Sequence, residues 1–224
     1  MARFQKVPTA PFNPFYGCAI MVIAILIFGG IITWSVYSLL SQDKQISQFT
    51  QDDPVKLAPQ ELAPDQKTAL QQRLTTFGGD IQAGKAASLK LSIQELNALP
   101  ELAPTSDYGS YAGMVLLEKT DPAKNILIGR ICLPLNRLKF WEGKKRYLVG
   151  EASFLAEVHA DGVDAKVVDI KVPGKEVPTG FVGGMEVWTI LAPYRKIEPL
   201  GSILKGIQKV EVIADGVVLS SASK

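Results

Sequence analysis

The hydrophobic pattern divides the chain into an apolar stretch near the start and a longer part in which short apolar runs alternate with polar residues. Between Val7 and Gln42 there is no charged side chain, and residues 15–40 are almost continuously apolar. A helix of about 20 such residues crosses the roughly 30 Å hydrocarbon core of a bilayer, and it satisfies its own backbone hydrogen bonds. We therefore predict a single transmembrane helix at residues 15–40.

Two other interpretations of this stretch are a cleaved signal peptide and a buried core helix. A signal peptide has a shorter apolar region of about 7–15 residues and a cleavage site of small residues, which Ser35–Ser38 resembles only weakly. A core helix would be polar on one side, whereas this stretch is apolar all round. The pattern therefore favours a helix that stays in the protein and spans the membrane.

The basic residues that flank the stretch indicate its orientation. Arg3 and Lys6 precede it, and Lys44 follows it. Because basic residues are retained on the cytoplasmic side, we predict a cytoplasmic tail at 1–14 and place the rest of the chain beyond the span outside the cytoplasm, in a cell-membrane protein of single-pass topology.

Beyond the span, proline and then helical periodicity suggest two further regions. Residues 41–64 are polar and contain three prolines, which predicts a linker or stalk. From Asp65 onward the apolar residues recur at helical spacing, and they are Leu70, Leu74, Phe77 and Ile81. The glycine pair at 78–79 weakens this pattern, so we expect the helix to stop or kink there. Ser92 and Glu95 form a capping-box pattern for a short helix that ends at Pro100. We predict one domain at 65–224.

The remainder of the domain consists mainly of paired apolar runs. Asp161-Gly162 and Asp215-Gly216 each separate two such runs, and Asp-Gly is a strong hairpin signal because both residues tolerate positive φ. A third pair, at 111–119 and 124–135, flanks a turn, and helical character returns near 181–190 and 197–207. The predicted fold class is α+β: an N-terminal transmembrane helix followed by an antiparallel, curved sheet with short covering helices.

Charge and residue counts exclude several functional classes. The chain has 24 basic and 22 acidic side chains, so we expect no nucleic-acid partner. It has one histidine, His159, and two cysteines, of which Cys18 belongs to the apolar stretch and Cys132 to the domain. A zinc site needs clustered ligands, and no catalytic motif is present, so we predict no metal, no cofactor and no catalytic residues. We interpret Cys132 as a small buried residue.

Two features remain as candidates for binding. A loop between two predicted strands mixes basic and aromatic residues, which favour anionic lipid surfaces and the membrane interface; they are Arg137, Lys139, Phe140, Trp141, Lys144, Lys145 and Arg146. The alternative is a hairpin whose aromatic rings cover the core. The second candidate is an apolar groove on the sheet, lined by Leu116, Leu117, Ile126, Ile128 and Ile131, although a filled core would explain these residues equally well.

The order of several short motifs resembles that of a bacterial family. These are the segment at 91–99 (LSIQELNAL), the run at 146–150, the segment at 174–178 and the terminal hairpin at 210–219. Over residues 60–221 the chain resembles bacterial single-span extracytoplasmic proteins of unknown function, including the YpmS-like group. The resemblance implies a membrane-tethered, strand-rich domain and supplies no catalytic residues. Pro100 departs from the family's pattern.

Three hypotheses about function follow from these observations. The first is a non-enzymatic, single-pass membrane protein whose extracytoplasmic domain binds a protein partner or organises the envelope. The second is a membrane-tethered carrier of lipid or another apolar ligand. The third is a hydrolase with catalytic residues dispersed along the sequence.

Overall fold

The apolar N-terminal stretch forms one long helix. In the computed structural model, which describes residues 14–58, 61–102, 113–135, 146–186, 190–192 and 194–223, helix α1 spans Pro14–Phe49. Its segment Ile20–Ser38 is long and apolar enough to cross a membrane, and none of that segment is buried inside the protein. The chain therefore carries one candidate membrane span in the described residues. The helix ends nine residues beyond the predicted limit at residue 40.

The chain divides into two units, Met1–Ile46 and Ser47–Lys224. The second unit contains two antiparallel sheets, which confirms the α+β class, although a single sheet was expected. The four-stranded sheet has the order β2-β3-β4-β5, and the three-stranded sheet has the order β1-β7-β6. The strands are β1 (Ala87–Ser92), β2 (Val115–Asp121), β3 (Ile126–Leu135), β4 (Arg146–His159), β5 (Gly162–Lys171), β6 (Lys209–Ile213) and β7 (Gly216–Ser221).

Short helices cover these sheets as the sequence predicts. They are α2 (Pro64–Gln82), α3 (Ile93–Leu102), α4 (Thr179–Glu186) and α5 (Leu200–Gly206), with short 3₁₀ helices at Pro122–Lys124 and Tyr194–Lys196. Both Asp-Gly hairpins are confirmed, since His159 pairs with Gly162 and Ile213 pairs with Gly216. The capping box is also confirmed, because the Glu95 amide donates to Ser92 Oγ and the Ser92 amide donates to Glu95 Oε2.

Two predicted helix limits are wrong. Helix α3 continues through Pro100 to Leu102; proline removes one hydrogen bond, and this loss falls near the end of the helix. Helix α2 runs through Gly78 to Gln82, past the glycine pair where a stop or kink was expected. A Cβ atom at Gly78 would lie 2.6 Å from Ile203 Cδ1 of α5. The glycine there permits close packing between α2 and α5.

Two polar side chains join the sheets to each other. Asn125 adopts a left-handed conformation with φ of 58°. Its Nδ2 donates to the Ala156 carbonyl of β4, and its Oδ1 accepts a hydrogen bond of 2.7 Å from the Val212 amide of β6. Thr120 Oγ1 of β2 donates to the Ala214 carbonyl beside β6. The most buried apolar side chains of the domain include Leu70, Leu91, Ile131 and Leu148.

Candidate functional site

A groove lies between helix α2 and strand β1. It has a volume of about 670 Å³, within the range of small ligand sites, and it is open to solvent. One face of α2 forms the first wall and strand β1 the second. The helix contributes Ala69, Gln72, Arg73, Thr76, Phe77 and Asp80, and the strand contributes Ala87, Ser88, Leu89 and Lys90. Neither the apolar-groove nor the basic-loop prediction included these residues.

Arg73 lies at one end of the groove and links both walls to helix α3. Its Nη1 donates to Glu95 Oε1 at 2.5 Å, and its Nη2 donates to the backbone carbonyl of Lys90. Lys90 Nζ forms an ion pair of 3.1 Å with Asp215 Oδ2. At the other end, Asp80 Oδ1 lies 3.8 Å from Lys85 Nζ. The charged side chains at both ends of the groove are therefore each paired with one of opposite charge.

The charge on Glu95 stabilises this end of the groove. Partial burial raises the pKa of Glu95, but the Ser92 amide and the Arg73 guanidinium lower it by more, so its pKa lies below the ordinary value. Because the folded state binds the proton less tightly than the unfolded state, this stabilisation is complete above the unfolded pKa. It is lost as the pH falls through the lower pKa of the folded state.

We expect Glu95→Gln to reduce stability most at neutral pH. Glutamine preserves the capping geometry but not the charge, so the difference from the parent should shrink as the pH falls below about 4. Urea midpoints of both proteins between pH 3 and pH 7 measure this difference. A difference that stays constant across the range would contradict the role of the charge.

Arg146, the one member of the predicted membrane-contact loop that the structure describes, has a structural role. Its guanidinium binds the segment 47–58, which we call the strap. Nε donates to Thr50 Oγ1 at 2.7 Å, Nη2 donates to the carbonyls of Ser47 and Thr50, and Nη1 pairs with Asp52 at 3.1 Å. Its side chain is 22 % exposed. The six other loop residues lie outside the described part of the chain and stay a prediction.

The strap packs onto the folded domain, within the segment 41–64 for which a linker or stalk was expected. Phe49 is 2 % exposed and packs edge-on against Phe181 of α4, with ring centroids 4.9 Å apart. The backbones of Gln51 and Tyr147 exchange two hydrogen bonds, which adds one bridge to β4. Leu57 is buried in a cluster with Leu116 and Cys132, flanked by Tyr147 and Val149.

Cys132 has the buried position that the sequence predicts. Its Sγ accepts a hydrogen bond of 3.2 Å from the Val55 amide of the strap, and its side chain is a free thiol.

His159 ends β4, where its Nε2 lies 3.2 Å from Glu157 Oε2. Lys166 also pairs with Glu157, at 2.9 Å. Cys132 and His159 therefore both contact residues of the folded domain.

The buried ion pair of the domain joins β5 to the 3₁₀ helix at Tyr194–Lys196. Asp164 Oδ2 accepts a hydrogen bond of 2.9 Å from Arg195 Nη2, and its Oδ1 accepts from the amides of Ala165 and Leu191. Arg195 Nη1 also binds Asp161 at 2.5 Å. The Asp164 side chain has no exposed surface. Sequence reasoning missed this pair, because nothing local connects residues 31 positions apart.

The apolar groove predicted on the sheet does not form from the five residues proposed for it. Strand register places them on opposite faces. Leu117 pairs with Gly129 and thus shares the face of Ile131, whereas Leu116 pairs with Arg130 and shares the face of Ile126 and Ile128. Leu116 is covered by Leu57 of the strap. These residues therefore contribute to two separate packed surfaces.

Together, these features define an α+β domain joined to one candidate membrane span, with an open groove at the edge of its smaller sheet. Comparison of the chain with family models, with curated proteins and with solved structures finds no match.

Proposed function

We propose that this protein is a single-pass membrane protein whose C-terminal domain binds a protein partner close to the bilayer, in the role of a tethered binding module rather than an enzyme. The proposal rests above all on the position of the candidate span. Ser38 ends that span, and Ser47 begins the compact unit nine residues later. Even a fully extended chain of nine residues reaches only about 30 Å. A domain so tethered meets partners that lie at or near the same membrane.

The buried polar groups of the domain support a binding role over a catalytic one. Asp164 uses both of its oxygens in structural hydrogen bonds. Arg146 uses all three guanidinium nitrogens to hold the strap. Catalytic groups, by contrast, face a cleft in which a reacting atom can be placed. The groove between α2 and β1 is instead lined on one side by a strand, and strand edges serve in protein recognition.

The proposed orientation places the domain outside the cytoplasm. Arg3 and Lys6 precede the span and favour a cytoplasmic N-terminus. An envelope setting is further supported by the resemblance of the sequence to bacterial single-span proteins. A cysteine introduced by Lys171→Cys, at a side chain that is 71 % exposed, should then react with a membrane-impermeant maleimide in intact cells. Cysteine at position 6 (Lys6→Cys) is the matched control and should react only after the membrane is permeabilised. The reverse labelling pattern would overturn the orientation.

Partner binding can be tested on the full chain. After purification from its own membranes in mild detergent, native mass spectrometry should show the chain with its N-terminal span intact and in fixed stoichiometry with a second polypeptide. A chain that carries retained lipid and no polypeptide would support a carrier instead. A mature chain that begins after residue 40 would contradict the tether.

A further inference from the structure

The strap is attached to the domain as a docked segment and not as a strand of either sheet. It forms one isolated β-bridge, between Gln51 and Tyr147, and contributes no strand to the described sheets. Between Thr50 and Leu57, five consecutive residues at 52–56 are exposed to solvent. Segments with few buried contacts and an exposed backbone open at a lower free energy than the core of a protein. The middle of the strap has both properties.

Side chains of the domain hold the polar groups of the strap. The Arg146 guanidinium donates to both the hydroxyl and the carbonyl of Thr50, and Lys175 Nζ donates to the same carbonyl at 3.2 Å. The Val55 amide donates to the sulfur of Cys132, and a thiol sulfur is a weak acceptor. These bonds can break by rotation of a side chain, so they can open without any change in a strand.

Two apolar side chains anchor the strap near its ends. Phe49 is 2 % exposed and packs against Phe181 of α4. Leu57 is buried in the cluster with Leu116 and Cys132. Burial of apolar surface favours the closed strap, so the strap is closed in most molecules at equilibrium. Complete opening requires both anchors to leave their sites.

The four-stranded sheet beneath the strap is complete without it. Strands β3 and β4 pair over ten residues of each strand. Successive side chains of a strand point to opposite faces, so Ile131 and Leu148 are buried on the face opposite Cys132 and Val149. Because the strap covers only the face of Cys132 and Val149, its detachment leaves the buried side chains of the other face in place.

We propose that the strap is a releasable clasp, which detaches from β4 and α4 while both sheets stay folded and thereby lengthens the tether between the membrane and the domain. The twelve residues at 47–58 span at most about 40 Å when fully extended. This inference rests on the tether of the proposed function and gives that tether a second length. In the open form, a partner that lies farther from the bilayer comes within reach of the domain.

The position of the strap in the chain determines what opens it. Helix α1 ends at Phe49, and the strap begins the compact unit at Ser47. A pull between the span and a partner bound to the domain therefore acts on the strap before it acts on either sheet. Such a pull separates Phe49 from α4 and then breaks the bonds of Arg146 and the bridge at Gln51, one after another.

Native-state hydrogen exchange of the full chain in micelles separates opening of the strap from unfolding of the domain. The amides of Gln51 and Val55, which are bonded to Tyr147 and Cys132, should exchange about tenfold or more faster than those of the β3–β4 ladder. Their rates should change little at low urea, because a short opening exposes little surface. Strap amides with the same rate and the same urea dependence as the ladder would overturn the inference.

A disulfide that locks the strap gives a matched control. Gln51 and Tyr147 exchange two hydrogen bonds, and residues paired in this way have Cα atoms about 5.5 Å apart, a separation that a disulfide can span. In a Cys18→Ser background, the double variant Gln51→Cys and Tyr147→Cys should be alkylated at Cys132 about tenfold or more slowly when oxidised than when reduced. Mass spectrometry of the tryptic peptide 131–137 identifies this site. Equal rates in the two forms would contradict release of the strap.

The distance between two spin labels measures the longer tether. The labels are placed at Ser41→Cys and Lys171→Cys in a chain without its native cysteines. Combined substitution of Arg146→Ala and Phe49→Ala should add a population at longer distances, whereas Lys209→Ala on β6 should not. The β3–β4 amides should stay protected from exchange in the combined variant. An unchanged distance distribution, or loss of that protection, would show that the strap is an integral part of the fold and not a clasp.

Failure of the clasp can be distinguished from failure of the proposed function. A strap that opens only when the whole domain unfolds leaves the tether at its shorter length, and the tethered binding module then stands. A mature chain that begins after residue 40, or reversed maleimide labelling, contradicts the proposed function whatever the exchange rates of the strap.

Discussion

Replacement of Asp164 by alanine is expected to lower the free energy of unfolding of the domain by about 3–5 kcal/mol, the cost typical of removing one partner from a buried ion pair. The Asp164 side chain is fully buried, and the Arg195 side chain is only 12 % exposed. Loss of the carboxylate also leaves the amides of Ala165 and Leu191 without their acceptor. Arg195 already has one unsatisfied donor, because its Nε is buried and makes no hydrogen bond to the described residues.

Asp161 provides a matched control for this prediction. Its carboxylate binds the same guanidinium, but its side chain is 65 % exposed. Ion pairs exposed to water contribute about 0–1 kcal/mol, so Asp161→Ala should have a small effect. Urea unfolding of the full chain in micelles measures both variants. Equal destabilisation by the two substitutions would show that burial does not determine how much each ion pair contributes to the free energy of unfolding.

The second large effect is expected at the strap. Phe49→Ala should destabilise the domain by about 3–5 kcal/mol, because it removes a buried ring and leaves a cavity against Phe181. Residues of a free linker would show no such cost. The Val55 side chain, in the same segment, is 40 % exposed, and Val55→Ala should change stability by less than about 1 kcal/mol.

The thiol of Cys132 offers a direct measurement of strap opening. It lies beneath the strap and accepts a hydrogen bond from Val55, so a thiol reagent reaches it only when the strap detaches or the domain unfolds. In a Cys18→Ser background, Phe49→Ala and Arg146→Ala should both accelerate its alkylation in the absence of denaturant. An unchanged rate in both variants would mean that the strap does not cover the thiol in solution.

The strap also determines where a soluble form of the domain should begin. The strap, which follows the candidate span in the sequence, packs onto β4 through Gln51 and onto α4 through Phe49. Any engineered soluble form of the domain should therefore begin at or before Ser47. A form that begins at Asp65 lacks Phe49 and Leu57 and exposes the apolar surfaces that they cover.

Features encoded by neighbouring residues could be predicted from the sequence. The charge-free stretch, the capping box at Ser92 and the two Asp-Gly hairpins each depend on a few consecutive residues, and each is present in the structure. The limits of the helices were less predictable. Gly78 reads as a helix breaker, yet tertiary packing against Ile203 retains the helix there.

The candidate site was beyond prediction because its parts are distant in sequence. Arg73, Lys90 and Glu95 meet only after α2 folds alongside β1, and Arg73 carried no motif. The one signal available was the capping box, which gave Glu95 a role at the helix start. Arg146 was assigned to a lipid surface on composition, but its partners, Ser47 and Thr50, lie almost a hundred residues earlier.

By itself the sequence determined the candidate membrane span, the α+β class and the hairpin turns, because hydrophobic length, periodicity and turn chemistry act over a few residues. Only the tertiary structure decided that the strands divide into two sheets and that the proline-containing segment after the span packs as a strap. It also decided that β1 is an edge strand beside α2 in the part of the chain that the structure describes. Those outcomes depend on which segments, distant in sequence, pack against one another. The packing that forms is the one that gives the whole domain its lowest free energy.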